Sequence, residues 1–198
     1  FTNRMVRHLP WTDLYLFLLK PANAWEFLPL RDFGYWLDFR LFGDDPFGFH
    51  FSNLAWYGLS AAAFWWLIKE LILLFRPAWT GQASVLALCG SVLFVVHPAH
   101  VEAAAWVASR KDLMAGAIGF LAAATLARGL RTGWPYRYGL SAAVLLLLAC
   151  FSKAAGMAQV LFLTTLIVAA WRQDPEVATE RKIATLMLLW VVVVFAAI

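Results

Sequence analysis

Residues 94–113 read FVVHPAHVEAAAWVASRKDL, a polar segment that lies between two strongly apolar stretches. Its ionisable side chains are His97, His100, Glu102, Arg110, Lys111 and Asp112. An ionisable side chain at the centre of a bilayer costs roughly 2.5 to 3.5 kcal/mol, so a cluster of them at a membrane boundary requires a reason. The usual reason is a polar substrate, and we therefore expect the chemistry of this chain in this segment.

The composition places the chain in a membrane. Hydrophobic residues make up 63% and charged residues 14% of the chain, and the mean hydropathy is +0.71, whereas soluble domains carry about 25% charged residues. Its many Trp and Phe side chains favour the interfacial headgroup zone. The net charge of +4 is therefore interpreted as a topology signal or as contact with lipid phosphates, and no nucleic-acid partner is expected. Cys89 and Cys150 lie inside apolar runs, as buried hydrophobic residues do.

The chain divides into two predicted parts. Residues 1–50 mix charged and aromatic side chains, which is typical of amphipathic helices that lie on a membrane surface in an outer, extracytoplasmic loop, and the helical pieces are predicted over 13–19 and 32–42. Residues 51–198 are predicted to form a membrane bundle of about six spans: 51–75, 83–96, 113–127, 138–151, 154–171 and 183–198. The predicted fold class is all-α, a polytopic membrane helix bundle. A start without Met and an end inside an apolar run are typical of a fragment of a longer chain.

Basic residues in the loops predict the orientation of the bundle. If every predicted span crosses the membrane, the loops around Arg76, Arg131 and Arg172 share one side, which the positive-inside tendency assigns to the cytoplasm. The opposite side then carries residues 1–50, residues 97–112 and Lys153. We therefore expect the site to face the non-cytoplasmic side of a multi-pass protein, with the bacterial inner membrane as its predicted location.

Arg110, Lys111 and Lys153 gather on this outer side, and we expect them to bind an anionic group such as a lipid phosphate or pyrophosphate. An alternative for Lys153, at the tip of a short hairpin between the fourth and fifth spans, is that it snorkels into the headgroup layer. If the segment after Pro98 is helical, Glu102, Trp106 and Arg110 share one face, although a Glu–Arg arrangement of this kind is also ordinary on a helix surface.

His97, His100 and Glu102 are candidate ligands of a divalent metal, because imidazole and carboxylate groups suit several such ions. The alternative is that Pro98 begins a helix and His97 acts as its cap. Asp112 is either an acidic group of the site or the N-cap of the third span.

Three motifs, in this order along the chain, carry a resemblance to a known family. They are LFGDDPFGFHFSNL at residues 41–54, LFVVHPAHVE and SRKDL within residues 93–113, and FSK at residues 151–153. Together they resemble the transmembrane and tetratricopeptide-repeat family of O-mannosyltransferase-like proteins. That family belongs to the GT-C superfamily of multi-span glycosyltransferases, and the resemblance covers roughly residues 40–171.

The resemblance implies a GT-C-type bundle that moves a sugar from a polyprenyl-phosphate donor to a protein or glycan acceptor on the non-cytoplasmic side. It implies donor-phosphate binding by Arg110, Lys111 and Lys153. Residues expected to organise the site or to contact the acceptor are His50, Asn53, His97 and His100. The family's acidic motif is expected to precede or adjoin Phe1, so the catalytic base is unknown, and Glu102 and Asp112 are the visible candidates.

The expected ligands are membrane lipid, the polyprenyl-phosphate sugar and the acceptor, with a divalent metal as a candidate cofactor. The alternative function is a noncatalytic membrane subunit that keeps the GT-C scaffold and binds a partner complex through its aromatic outer surface. An acidic pair in the sequence just before Phe1 would favour the enzyme.

Overall fold

The computed structural model describes residues 4–22, 26–133, 136–173 and 179–197. Within these ranges the chain is helical and has no strands, which confirms the all-α class. The α-helices are α1 (Arg4–His8), α2 (Pro29–Phe42), α3 (Pro46–Phe75), α4 (Ala83–Val96), α5 (Val101–Ala105), α6 (Arg110–Arg131), α7 (Tyr136–Ser152), α8 (Gln159–Gln173) and α9 (Thr179–Ala197). Short 3₁₀ helices lie between them at Trp11–Leu18, Pro77–Trp79, Pro98–His100, Val107–Ser109 and Ala154–Ala158.

Three of the described helical segments are long and apolar enough to cross a membrane: Pro46–Phe75, Val107–Arg131 and Ala154–Arg172. A fourth candidate is α4 together with Pro98–Ala105, a single apolar stretch bent by 58°. The apolar parts of α7 and α9 are shorter. The division into an outer segment 1–50 and a six-span bundle 51–198 stays a prediction. Residues 1–3, 23–25, 134–135, 174–178 and 198 lie outside the described residues.

The centre of the bundle is α6, which packs against both α3 and α7. Most of α6 is buried, and its interior face consists largely of small residues such as Ala117, Ala122 and Ala124. Small side chains let helix backbones approach closely, which gains the van der Waals contact on which helix association in a membrane depends. The close packing of α6 therefore fixes the position of its first turn, which carries Arg110, Lys111 and Asp112.

α3 begins earlier than the predicted span 51–75. Pro46 occupies the first turn, where its missing N–H is not needed, and Asp45 caps the helix by accepting from the backbone N–H of Phe47 at 2.9 Å. Gly43 reverses the chain between α2 and α3 with φ of +62°, in the left-handed region that favours glycine. As a result, His50 and Asn53 lie in the first turns of α3.

α2 covers the helix predicted over 32–42 and packs into the structure with charged residues inside, and its place along a membrane surface stays a prediction. Arg31, Asp32 and Asp38 are all buried. Each has an ionic partner, since Arg31 contacts Asp32, and Asp38 contacts Arg110, and pairing is the condition under which a protein tolerates buried charge. The piece predicted helical over 13–19 is the 3₁₀ helix Trp11–Leu18, which buries Phe17.

The chain between α5 and α6 is not a continuous helix. Trp106 is extended, with φ of −91° and ψ of 114°, and its carbonyl accepts from Asn53 Nδ2 at 3.1 Å. The carbonyl of the next residue accepts from the Tyr35 hydroxyl at 2.8 Å. Because other helices hold this break in place, the predicted shared face of Glu102 and Arg110 does not form.

The bundle has two charged ends. α6 has 22 residues, which at about 1.5 Å per residue gives about 33 Å, close to the roughly 30 Å of a hydrocarbon core. Its first turn carries Lys111 and Asp112, and Lys153, the residue that follows α7, contacts Asp112. Its last turn carries Arg131, whose Nε donates to the buried Glu70 at 3.0 Å.

This arrangement predicts the outcome of cysteine labelling. Single cysteines in place of Lys111 and Lys153, in a chain whose Cys89 and Cys150 are replaced by serine, should react with an impermeant maleimide from the same side of sealed membranes. A cysteine in place of Arg131 should react only from the opposite side. Labelling of all three positions from one side would contradict the crossing of the membrane by α6.

Gly156 lies against the backbone of α7, so we expect a side chain at this position to destabilise the protein. A Cβ at this position would lie 2.8 Å from the backbone carbonyl atoms of Ala149. Because backbone cannot move aside as a side chain can, Gly156→Ala should lower the free energy of unfolding by about 1–3 kcal/mol. Gly116→Ala is the matched control, since nothing lies within 4 Å of its Cβ. Equal melting temperatures for the two purified variants would contradict this packing.

Candidate functional site

Arg110, in the first turn of α6, is 1% exposed and joins three helices. Its Nε donates to Asn53 Oδ1 at 2.8 Å, its Nη2 donates to the carbonyl of Phe49 at 2.8 Å, and its Nη1 donates to Asp38. The guanidinium also lies 4.7 Å from the centroid of the Tyr35 ring. We call these residues, with Ser52, the Arg110 network. The predicted contact of Arg110 with a donor phosphate is not supported by this geometry, which gives Arg110 a positioning role.

The other members of the Arg110 network are also held inside the protein. Ser52 Oγ donates to Asp38 Oδ1 at 2.7 Å, so this carboxylate accepts from two helices. Asn53 is fully buried and uses both ends of its amide, one toward Arg110 and the other toward Trp106. Burial raises the pKa of Tyr35 to about 12, so its phenol stays neutral and remains a donor.

A second group of charges lies at the same end of α6, and we call it the ion-pair cluster. Its members are Glu26, Arg31, Asp32, Lys111, Asp112 and Lys153. Lys111 Nζ donates to both oxygens of Glu26, at 2.9 and 3.1 Å, and Lys153 Nζ donates to Asp112. The rings of Phe27 and Phe151 meet edge to face with their centroids 6.5 Å apart, which holds the segment of Glu26 beside the turn of Lys153.

The two lysines of the ion-pair cluster remain accessible. The side chain of Lys111 is 26% exposed and that of Lys153 is 34% exposed. An ammonium group has three N–H donors, and the carboxylates of Glu26 and Asp112 leave at least one donor on each lysine for a further acceptor. The two ammonium groups can therefore approach an anionic ligand while the carboxylates hold them in position.

The carboxylates of the ion-pair cluster differ in their electrostatics. The hydrogen bond from Lys111, together with that from Arg31 at 2.6 Å, lowers the pKa of Glu26 and keeps it ionised at neutral pH. Burial raises the pKa of Asp32, against the opposing effect of Arg31. Glu26 and Asp112 are partly exposed, so a substrate hydroxyl can approach either of them.

The predicted histidine cluster has a structural arrangement. His97 Nδ1 accepts from the backbone N–H of Ala99 at 3.2 Å, which is the capping alternative, and the His100 ring packs 4.2 Å from that of Phe94, centroid to centroid. Glu102 is exposed. Among the residues that the structure describes, no group of three or more His, Cys, Asp or Glu side chains could hold a metal ion. The predicted metal ligands are therefore not assembled, and no chemical step is assigned to a metal.

The structure thus distributes the predicted residues over several places. Lys111, Asp112 and Lys153 come together in the ion-pair cluster, and Arg110 and Asn53 belong to the Arg110 network. His50 is exposed in the first turns of α3 and lines a separate pocket.

Sequence reasoning did not single out Glu26, Arg31, Asp32 or Asp38. One signal was present, since Arg31, Tyr35 and Asp38 follow helical spacing and share the buried face of α2. Charged residues at such spacing were assigned to a surface, because hydrophobic periodicity alone does not show where a distant partner lies. Glu26 had no local signal, as its partner Lys111 is 85 residues away.

The fold and the site together define a helical protein that has segments long and apolar enough to cross a membrane and a charged site at one end of its bundle. Protein O-mannosyl-transferase F38B6.6 of Caenorhabditis elegans is 29% identical to this chain over 89 residues, which are 45% of this chain and 12% of the relative. This similarity supports a loose O-mannosyltransferase-like relationship. No family model matches the chain, and no solved structure matches it.

Proposed function

We propose that this chain is the membrane part of a GT-C-type glycosyltransferase of the transmembrane and tetratricopeptide-repeat family. It transfers a sugar from a polyprenyl-phosphate donor to a protein or glycan acceptor. The observation that carries the proposal is the pair of accessible lysines, Lys111 and Lys153, held by carboxylates at one end of an apolar helix bundle. The similarity to a protein O-mannosyl-transferase supports the class of reaction.

The position of the lysines suits a lipid phosphate. The first turn of α6 lies near the end of Val107–Arg131, a segment long and apolar enough to cross a membrane. If this segment spans the bilayer, the turn lies at the depth at which the phosphate of a lipid emerges from the hydrocarbon core. Hydrogen bonds between ammonium groups and phosphate oxygens are charge-assisted and stronger than neutral ones. The isoprenoid chain of the donor then stays in the bilayer while Lys111 and Lys153 stabilise the phosphate, both in the bound donor and as the leaving group.

The carboxylates supply the second part of the chemistry. In the transfer step the acceptor oxygen bonds to the anomeric carbon, the bond from that carbon to the phosphate oxygen breaks, and the phosphate leaves with the electron pair. A base must take the proton of the acceptor hydroxyl, while cations stabilise the charge that develops on the phosphate. Asp112 is our first candidate for this base and Glu26 the second, because each lies directly beside a phosphate-binding lysine.

The surroundings of this site are part of the proposal. The ion-pair cluster faces the non-cytoplasmic side of the membrane, as the basic residues at the opposite end of the bundle predict. The Arg110 network positions the cluster by fixing α2 against α3 and α6. A partner protein complex and a bacterial inner membrane stay predictions.

The test is turnover by the purified full-length protein in liposomes. Supplied with polyprenyl-phosphate-mannose and an acceptor extract, it should release polyprenyl phosphate and transfer mannose. Lys111→Gln should lose this activity, whereas Arg137→Gln, which removes an exposed cation at the opposite end of the bundle, should retain it. Donor binding without any release of polyprenyl phosphate would establish the noncatalytic subunit, and absence of donor binding would contradict the proposal.

A further inference from the structure

The carboxylate of Glu26 lies between two cations that belong to different helices, Arg31 of α2 and Lys111 of α6. Its Oε2 accepts from Arg31 Nη1 at 2.6 Å and from Lys111 Nζ at 3.1 Å, and its Oε1 accepts from Lys111 Nζ at 2.9 Å. The two cations therefore define a position for an anionic oxygen, and a carboxylate oxygen of this chain fills it.

The guanidinium of Arg31 is held in place without the help of Glu26. Its Nε donates to Asp32 Oδ1 at 2.8 Å, and its Nη2 lies 2.8 Å from the same oxygen. The side chains of Arg31 and Asp32 are only 8% and 6% exposed, so this pair is fixed inside the protein. Nη1 is the group that remains for Glu26, and it keeps its direction if another anionic oxygen takes the place of this carboxylate.

Glu26 is the member of the ion-pair cluster that can most easily exchange. It precedes α2 and lies outside the described helices, and its side chain is 41% exposed. The neighbouring Phe27 contacts Phe151, so the backbone beside Glu26 has a support of its own. The carboxylate can therefore rotate into water while the rest of the cluster stays in place.

The charges of the ion-pair cluster balance. Its three cations face three carboxylates: Arg31, Lys111 and Lys153 against Glu26, Asp32 and Asp112. The phosphate of a polyprenyl-phosphate sugar is a diester with a single negative charge, as a carboxylate has. Exchange of one carboxylate for this phosphate keeps the cluster neutral, whereas a phosphate bound beside all the carboxylates would make it negative.

We infer that the donor phosphate replaces the Glu26 carboxylate between Lys111 and Arg31, which makes Arg31 a third cation of the donor site. The inference rests on the proposed function, in which Lys111 and Lys153 bind this phosphate. A phosphate oxygen at the position of Glu26 Oε2 accepts from both Lys111 Nζ and Arg31 Nη1. Charge-assisted hydrogen bonds to the phosphate then replace those to Glu26. Glu26 is therefore a competitor of the donor within the chain itself.

The experiment titrates polyprenyl-phosphate-mannose against the purified full-length protein in nanodiscs. Glu26→Gln removes the competing charge and should tighten donor binding by about tenfold. Glu26→Asp keeps the charge, but its side chain is one methylene shorter and should not reach both cations, so it should also tighten donor binding, by a smaller factor. Asp44→Asn is the matched control, because it removes an exposed carboxylate beyond the other end of α2, and it should bind the donor as the wild type does.

The role of Arg31 is tested together with Asp32, because loss of Arg31 alone would leave a buried carboxylate without its cation. Arg31→Gln/Asp32→Asn keeps the net charge and should weaken donor binding by about tenfold through the loss of one charge-assisted hydrogen bond. In this background, Glu26→Gln should tighten donor binding less than it does in the wild type. Melting temperatures show which variants are folded, and the two Glu26 variants decide the matter if the double variant is not.

The inference is overturned if folded Glu26→Gln or Glu26→Asp binds the donor as the wild type does or more weakly. Weaker binding would show that Glu26 serves to hold Lys111 in position, and an effect of Glu26→Gln without one of Glu26→Asp would show a change of charge alone. Wild-type donor affinity in folded Arg31→Gln/Asp32→Asn also overturns it.

Dimethyl phosphate, a diester without lipid or sugar, separates this inference from the proposed function, and phosphorus NMR follows its binding. If Glu26→Gln tightens binding of dimethyl phosphate, Lys111→Gln removes it and the polyprenyl donor does not bind, the exchange of anions is supported and the transferase is contradicted. Donor binding that requires Lys111 and Lys153 but does not respond to the Glu26 variants contradicts the inference alone.

Discussion

Arg110→Met should lower the free energy of unfolding by about 3–5 kcal/mol, because it leaves the buried carboxylate of Asp38 without its cation. The substitution keeps much of the side-chain volume, so the loss is electrostatic. It also removes the donors that the Asn53 amide oxygen and the Phe49 carbonyl use inside the protein. Chemical unfolding of the purified protein in detergent, followed by the fluorescence of its tryptophans, measures the change.

Three further variants sharpen this prediction. Arg137→Met removes an exposed arginine and should have little effect on stability, so equal stability of Arg110→Met and Arg137→Met would contradict the Arg110 network. The double variant Arg110→Met/Asp38→Leu removes both buried charges and should recover part of the loss, since a pair of well-packed apolar residues often replaces a buried ion pair at little cost. Arg110→Lys should not recover it, because one ammonium cannot reproduce the planar fork of a guanidinium.

The double variant Lys111→Gln/Lys153→Gln should weaken binding of a polyprenyl-phosphate sugar on the order of a hundredfold or more. Each lysine contributes one charge-assisted hydrogen bond to the phosphate, typically worth about 1.5–3 kcal/mol. Replacement of both lysines by arginine should retain part of the affinity. A titration of the full-length protein with the fluorescent donor measures these constants, and binding of a free acceptor should not change.

The ionic strength provides an internal check on the lysine prediction. Wild-type affinity for the donor should fall as salt is added, since the lysines are partly exposed and their charges are screened. The double variant should show a smaller dependence on salt. Unchanged donor affinity in a folded double variant would leave ion pairing within the protein, or snorkelling to the headgroup layer, as the better account of Lys111 and Lys153.

The helices of the bundle were predictable because hydropathy acts locally. Long apolar runs predict helices wherever they occur, and both ends of α4 and α7 and the C-terminal end of α3 lie at or near the predicted span limits. The alternation of spans also predicted that Lys111 and Lys153 would share one end of the bundle, and the structure brings both into the ion-pair cluster. The cap formed by His97 was also predictable from local sequence, because Pro98 follows it directly and favours the first turn of a helix.

The partners of the charged residues were not predictable from one sequence. Asn53 and Arg110 are 57 residues apart, and Asp38 and Arg110 are 72 residues apart, so no local spacing connects them. The local sequence around Arg110 is the same whether its guanidinium faces a lipid phosphate or a buried carboxylate. Only the packing of α2 against α6 determines which of these partners it has. The break at Trp106 depends on the same docking, because donors from α2 and α3 hold it.

Photo-crosslinking tests the central claim most directly, namely that the ion-pair cluster is the phosphate end of the donor site. A polyprenyl-phosphate sugar that carries a diazirine next to the phosphate is bound to the full-length protein, irradiated and mapped by mass spectrometry. The account predicts adducts at the start of α6 and in the turn around Lys153, and their loss in Lys111→Gln/Lys153→Gln. Adducts at the opposite end of α6, around Arg128 and Arg131, or adducts that persist unchanged in the double variant, would contradict it.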